Sequence, residues 1–267
     1  MRPMLRSVFG KFLWDQRRGI VIWSLGLAGV GVAYAAFYPT LNSPEMIQFM
    51  EAYPREIMDA MGITDLTSPE GYLGGTSYGI LGPILMIMIA ASLGTRAIAG
   101  EEEAGRLDVL LAHPISRWRV VIERAAAMLV ALLLAGLVLL LGMTAMAGVA
   151  EFDSIGVANL AAASGQLVLL GLFFGSLALA IGAVTGSRGL ALGVVAMVGV
   201  LTYLGNNLGP SVEWLAWSRD VSPFHYYSGG EPLRNGFQVM DSLVLVGASL
   251  LLVALAVIGF ERRDVAV

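Results

Sequence analysis

The chain has no cysteine, which excludes disulfides, iron–sulfur clusters and thiolate zinc sites and leaves no redox information in cysteine usage. Charge is scarce as well: 13% of the 267 residues are Asp, Glu, Lys or Arg, against about 25% in soluble domains. What fills the chain instead is apolar, 57% of residues, and the mean hydropathy is +0.76. That balance describes an integral membrane protein. The net charge of -4 then says less than the way Arg and Lys divide between the two sides of the bilayer.

No Asp, Glu, Lys, Arg or His lies inside any of six long apolar runs. Proton-coupled carriers, voltage sensors and many ion pores need ionisable groups at membrane depth, so this absence argues against a self-powered carrier. The only lysine, Lys11, does not follow a glycine-rich phosphate loop, and the chain therefore does not hydrolyse ATP through a P-loop. Histidine is limited to His113 and His225. Glu101, Glu102 and Arg106 meet the EExxxR spacing of membrane-embedded CAAX-type peptidases, but neither histidine has the Phe four residues earlier that such a site needs. Gly175-Ser176-Leu177-Ala178 lacks the terminal glycine of a rhomboid-like GxSG. No enzymatic activity, cofactor or metal is expected on the chain itself.

The six runs predict spans at about 19–38, 75–98, 125–148, 160–184, 189–208 and 242–260, a helix needing roughly 20 residues to cross a bilayer. The expected fold is all-α, one polytopic transmembrane domain over residues 1–267 with both termini on one side. With the termini inside, 13 of the 16 Arg and Lys residues are on the inner side, leaving Arg55, Arg219 and Arg234 outside. The excess of inner cations makes both termini cytoplasmic in a plasma or inner membrane. A competing reading takes Ala33-Tyr34-Ala35 as a signal-peptide cleavage site, which would leave five spans.

Residues 1–18 carry Arg2, Arg6, Lys11, Arg17 and Arg18, with Met4, Leu5, Val8, Phe9, Phe12 and Leu13 along one side. This reads as an amphipathic helix lying in the membrane interface, the alternative being a flexible basic leader. Pro83 is expected to kink the second span. Gly171 with Gly175, Gly182 with Gly186 and Gly189 with Gly193 make small-xxx-small pairs, which predict that the fourth and fifth spans form a packed hairpin. Of two long external segments, 39–70 suggests short amphipathic helices broken at Pro54. The other, 210–241, gathers Trp214, Trp217, Phe224, Tyr226, Tyr227 and Phe237 with Pro223 and Pro232. It reads either as a re-entrant helical hairpin packed against protein or as an aromatic-anchored surface loop.

The most charged insert, residues 99–124, joins the second span to the third. Leu107, Leu110 and Leu111 recur at helical spacing, His113-Pro114 breaks the run, and Ser116 is placed to cap a new helix at Arg117. An amphipathic elbow joined directly to two spans, in a chain with no energy source of its own, is a lever for work delivered by a soluble partner.

This stretch, Gly100-Glu101-Glu102-Glu103-Ala104-Gly105-Arg106-Leu107 through His113-Pro114-Ile115-Ser116-Arg117-Trp118, resembles the segment after the second span in permeases of type-2 ATP-binding-cassette exporters. Ser68-Pro69-Glu70-Gly71-Tyr72 and Ser222-Pro223-Phe224-His225-Tyr226 look like that family's sequences in the matching external positions. The resemblance implies a six-helix half-transporter that pairs with a second copy or a homologue. Each half would dock on a cytoplasmic ATPase chain that carries the ATP and Mg2+; no nucleic acid is expected as a partner. It implies that Glu101, Glu102, Glu103, Arg106, Leu107, Leu110, His113, Pro114, Ile115, Ser116, Arg117 and Trp118 form the ATPase-coupling surface. The three glutamates would pair with arginines of the ATPase or the N-terminal helix, or simply face solvent at a helix N-terminus. The uncharged spans suit a hydrophobic or amphipathic cargo. Tyr34 and Phe37 on the first span, with Tyr203, Asn206 and Asn207 on the fifth, mark a candidate substrate path or an interface between copies. The rival of another class is a non-transporting membrane scaffold or sensor subunit.

Overall fold

A computed structural model of the chain describes residues 7–41, 68–107, 115–152, 154–209 and 212–263. Every regular element among them is helical. The first span, α1 (Val8–Ala36), leads into a single turn, α2 (Tyr38–Leu41). The second span is assembled from α3 (Pro69–Gly75), a π-helical turn (Ser77–Leu81) and α4 (Gly82–Ala97). After a short helix, α5 (Ala99–Glu103), come the third, fourth and fifth spans, α6 (Arg117–Met146), α7 (Val157–Thr185) and α8 (Arg188–Leu208). Three short helices, α9 (Trp217–Asp220), α10 (Pro223–Ser228) and α11 (Pro232–Asn235), precede the sixth span, α12 (Val239–Arg262). Among the described residues, six helices are therefore long and apolar enough to cross a membrane.

The start of the chain departs from the expected break at residue 18. Residues 8–18 are the opening turns of α1, which runs without interruption to Ala36 and is capped by the Ser7 hydroxyl accepting from the Gly10 amide at 3.0 Å. Residues 1–6 of the expected interface helix, and the expected helices about Pro54, lie outside the described residues.

Pro83 acts through the turn before it. A proline there cannot donate to the carbonyl one turn back, and the helix rewinds: Leu81 and Gly82 donate to the carbonyls of Thr76 and Ser77, five residues back. The expected kink is thus a π-turn with Tyr78 and Gly79 at its centre.

The fourth span is the axis of the bundle. Two-thirds of its apolar window is buried, 67%, against 17% for the fifth span. It packs against α4, α6 and α12, while α1 lies on the far face of α6. The glycine pairs have partners other than those expected. A side chain on Gly94 of α4 would run into the Gly175 carbonyl of α7, and one on Gly171 would meet Met86 of α4 at 2.7 Å. Gly189 and Gly193 have open space around them. The small-residue faces therefore join the fourth span to the second, and the fifth span sits at the edge, connected by the left-handed Gly186 (φ 68°).

The aromatic segment after the fifth span folds onto the bundle as a cap of short helical turns. Phe224, Tyr227 and Leu233 are buried, whereas Trp214 and Trp217 are exposed. Hydrogen bonds tie it to the spans: Asn159 donates to the carbonyls of Leu233 and Arg234 at 2.9 and 3.2 Å, and the Ser222 hydroxyl donates to the Thr202 carbonyl of α8 at 2.8 Å.

Candidate functional site

The elbow begins where α4 ends. Ile98 leaves helical geometry (φ −131°, ψ −63°), α5 makes one further turn, and Gly105 takes a left-handed φ of 64° to redirect the chain. Leu107 is fully buried and pins the far side of that turn. The next helix starts at Arg117 after Ser116, as its sequence indicates, although the Ser116 side chain makes no cap hydrogen bond.

The polar side chains of this region form a collar that touches the end of every span. Arg124 of α6, buried to 5% exposure, donates to the Ala97 carbonyl at the end of α4 and lies 4.0 Å from Glu101. Glu101 also pairs with Arg106 at 2.9 Å. Glu102 pairs with Arg263, which donates in turn to the Ala183 carbonyl of α7 at 3.1 Å. Glu103 accepts from the Arg188 amide at 2.8 Å, so a carboxylate of the elbow satisfies an open donor at the N-terminus of α8. Arg117 donates to the Phe260 and Arg263 carbonyls at 3.1 and 2.6 Å, closing the C-terminal end of α12. Glu123 accepts from the Phe9 amide at 2.9 Å and Arg96 donates to Gln16 at 2.9 Å, which brings in α1.

Burial by itself would raise the Glu101 carboxyl, but the Arg106 hydrogen bond and the charges of Arg124, Arg106 and Lys11 together hold it below the ordinary glutamate range. A depressed carboxylate contributes stability above its unfolded value and loses it as the pH falls through the folded value. Glu101→Gln is accordingly expected to melt below wild type at neutral pH. The gap should close as the pH drops below the ordinary value of 4.5. Melting curves of the two proteins in detergent between pH 7 and 3, roughly, check this; a gap that stays constant with pH would remove Glu101 ionisation from the collar.

The residues singled out in the sequence thus divide. Glu101, Glu102 and Arg117, all half-buried, are turned toward the chain's own arginines and helix ends, and Glu103, though exposed, bonds the start of α8. Arg106, Ser116 and Trp118 are exposed, Trp118 at 51%, and Ile115 is half-buried. Leu110, His113 and Pro114 lie outside the described residues. Arg124, Arg188 and Arg263, which complete the collar, escape a reading by motif because their partners are distant in sequence. Arg124 alone left a signal, as the last cation before a long apolar run.

At the opposite end of the bundle a cavity of about 420 Å³ opens beneath the aromatic cap. Tyr203, Asn206 and Asn207 line it, whereas Tyr34 and Phe37, exposed on the flank of α1, do not. Sequence reasoning missed its other walls, the π-turn residues Tyr78 and Gly79 and the cap residues Phe224 and Tyr227. Tyr227 donates to the Tyr78 carbonyl at 2.5 Å and Tyr78 shares a 3.0 Å hydrogen bond with Ser164, so these walls are held by buried bonds.

No curated protein matches the chain. Residues 5–261 match the family model described as the C-terminal domain of the multidrug efflux system permease Rv1217c. With that match running over six apolar helices, the chain belongs to this family of efflux permeases and is a multi-pass membrane protein.

Proposed function

We propose that the chain is the membrane-spanning subunit of a type-2 ATP-binding-cassette exporter for hydrophobic or amphipathic cargo. In this reading both termini are cytoplasmic, ATP is hydrolysed on a separate ATPase chain that docks on the 99–124 elbow, and a second permease copy or homologue completes the transporter. The observation that carries the proposal is the collar: elbow side chains bond the ends of five spans directly and reach the fourth through Arg263, so a displacement of the elbow is passed to the whole bundle. The family's efflux role and the chain's lack of a P-loop agree with an energy source on another chain.

Two changes test it. Deletion of residues 104–116 is expected to abolish capture of ATP-hydrolysing activity by the detergent-solubilised full chain. Trp118→Ala is the finer probe, because its side chain is exposed and supports little of the fold. It should change stability by no more than about 0.5 kcal/mol while lowering stimulated ATP hydrolysis and export. Wild-type coupling in both variants would leave the elbow without a docking role and move the scaffold or sensor reading to first place.

A further inference from the structure

The outer cavity and the π-turn are two separate departures from a close-packed helical bundle, and they coincide. π-Turns concentrate at functional sites, where the extra residue per turn re-aims side chains. Here the turn brings Tyr78 and Gly79 to the cavity wall. The backbone is drawn so close that a side chain on Gly79 would strike the Gly74 carbonyl, so only glycine fits. Gly74 itself lines the cavity, and a side chain added there would meet only Leu233, at 3.9 Å.

The volume of about 420 Å³ falls within the range of drug-sized sites, roughly 300–1,000 Å³. Its walls divide by chemistry. Tyr203 and Phe224 stand edge to face with centroids 5.2 Å apart, and Tyr78 and Tyr227 are buried beside them with their hydroxyls already engaged. The inner surface is therefore aromatic and offers ring faces more than free hydrogen bonds. Charge enters as two carboxylates, Glu70 and Glu231, and two guanidiniums, Arg219 and Arg234, of which Glu231 and Arg234 pair with each other at 3.5 Å. Beside that pair stand Glu70 and Arg219, one group of each sign, which favour neither a cation nor an anion, while a zwitterion meets both.

From this we infer that the outer cavity is a binding site for a drug-sized aromatic zwitterion, the last protein site such a cargo occupies before release. The inference rests on the export reading for its direction, but the binding itself needs no ATPase. Norfloxacin, a fluorescent aromatic zwitterion at neutral pH, is a suitable probe. The full chain in lipid nanodiscs, without any ATPase, should bind it saturably above the signal of empty nanodiscs. Ethidium, a permanent cation of similar size, should bind at least about tenfold more weakly (about 1.4 kcal/mol).

Gly74→Leu places a side chain in the cavity and is expected to weaken norfloxacin at least tenfold, on the same conversion. Gly193→Leu, on the open face of the fifth span, should bind as wild type does. Should Gly74→Leu fail to fold, Asn206→Leu fills the same cavity from the fifth span and is read in the same way. Absence of saturable binding, unchanged affinity in the folded filled variant, or equal affinity for ethidium would each overturn the inference. Capture of an ATPase by the elbow is scored separately. Its failure with intact norfloxacin binding would count against the exporter reading and leave the cavity site standing.

Discussion

Replacing Gly94 by alanine is expected to destabilise the bundle by roughly 1–3 kcal/mol, the usual cost of forcing an extra methyl group into a close-packed interior. The reason is the identity of the obstructing atoms. A Cβ at Gly94 would meet the carbonyl oxygen of Gly175 and the Cβ of Ala178 at 2.9 Å, and neither is the end of a flexible side chain. The second and fourth spans would have to separate along their shared face. At Gly175 the same change meets Met128 Sδ at 2.6 Å, a thioether that can swing aside, so Gly175→Ala should cost less. Gly193→Ala meets nothing and should be neutral or stabilising, by up to the ~1 kcal/mol by which alanine exceeds glycine in helices. The check is the midpoint of heat-induced loss of the monodisperse peak in size-exclusion chromatography. If Gly94→Ala melts with Gly193→Ala, the second and fourth spans are not in the contact described.

Arg124→Met is expected to cost about 1–3 kcal/mol, because it leaves the Ala97 carbonyl without its buried donor and takes from Glu101 the inner of its two guanidiniums. Three features set the size. The Arg124 side chain is 6% exposed, Glu101 is 19% exposed, and the Ala97 carbonyl takes its hydrogen bond from this guanidinium. Arg124→Lys keeps the charge but not the planar fork that reaches both groups, and should recover only part of the loss. Arg106 pairs with the same glutamate yet is 61% exposed, so Arg106→Ala should cost less than about 1 kcal/mol. Unfolding midpoints of the three variants decide the matter: equal losses at Arg124 and Arg106 would mean that the inner guanidinium is not the hub of the collar.

Much of the architecture was legible because a bilayer is a severe solvent. Six uncharged runs of sufficient length admit few structures other than six helices, and the helices are there. The partners of the glycine pairs were not legible. A small-xxx-small pair says that a backbone comes close but not whose, and Gly171 and Gly175 face the second span while sequence adjacency had pointed to the fifth. Pro83 was recognised as a disturbance, but whether a helix answers a missing donor by bending or by adding a residue to one turn depends on its neighbours. The collar was half legible. The elbow announces itself by charge, whereas Arg117, Arg188 and Arg263 find partners between 80 and 146 residues away through backbone groups that carry no sequence signature. Asn206 and Asn207 drew attention as polar residues in an apolar helix, and the cavity accounts for them. Tyr34 and Phe37, singled out with them, do not line it and are exposed.

The unbroken first helix has a consequence in height. Its 29 residues span about 43 Å at 1.5 Å per residue, and the 30 residues of the third span reach about 45 Å. A hydrocarbon core is only about 30 Å thick. Both helices carry their charges at the same end, Lys11, Arg17 and Arg18 on one and Arg117, Arg119, Glu123 and Arg124 on the other, and the Phe9 to Glu123 hydrogen bond sets those ends level. The surplus of roughly 13–15 Å therefore projects from one side of the bilayer as a plinth. The elbow runs up its side, from Glu101 beside Arg124 at the foot to Arg117 at the top, where a soluble protein can reach it without entering the membrane.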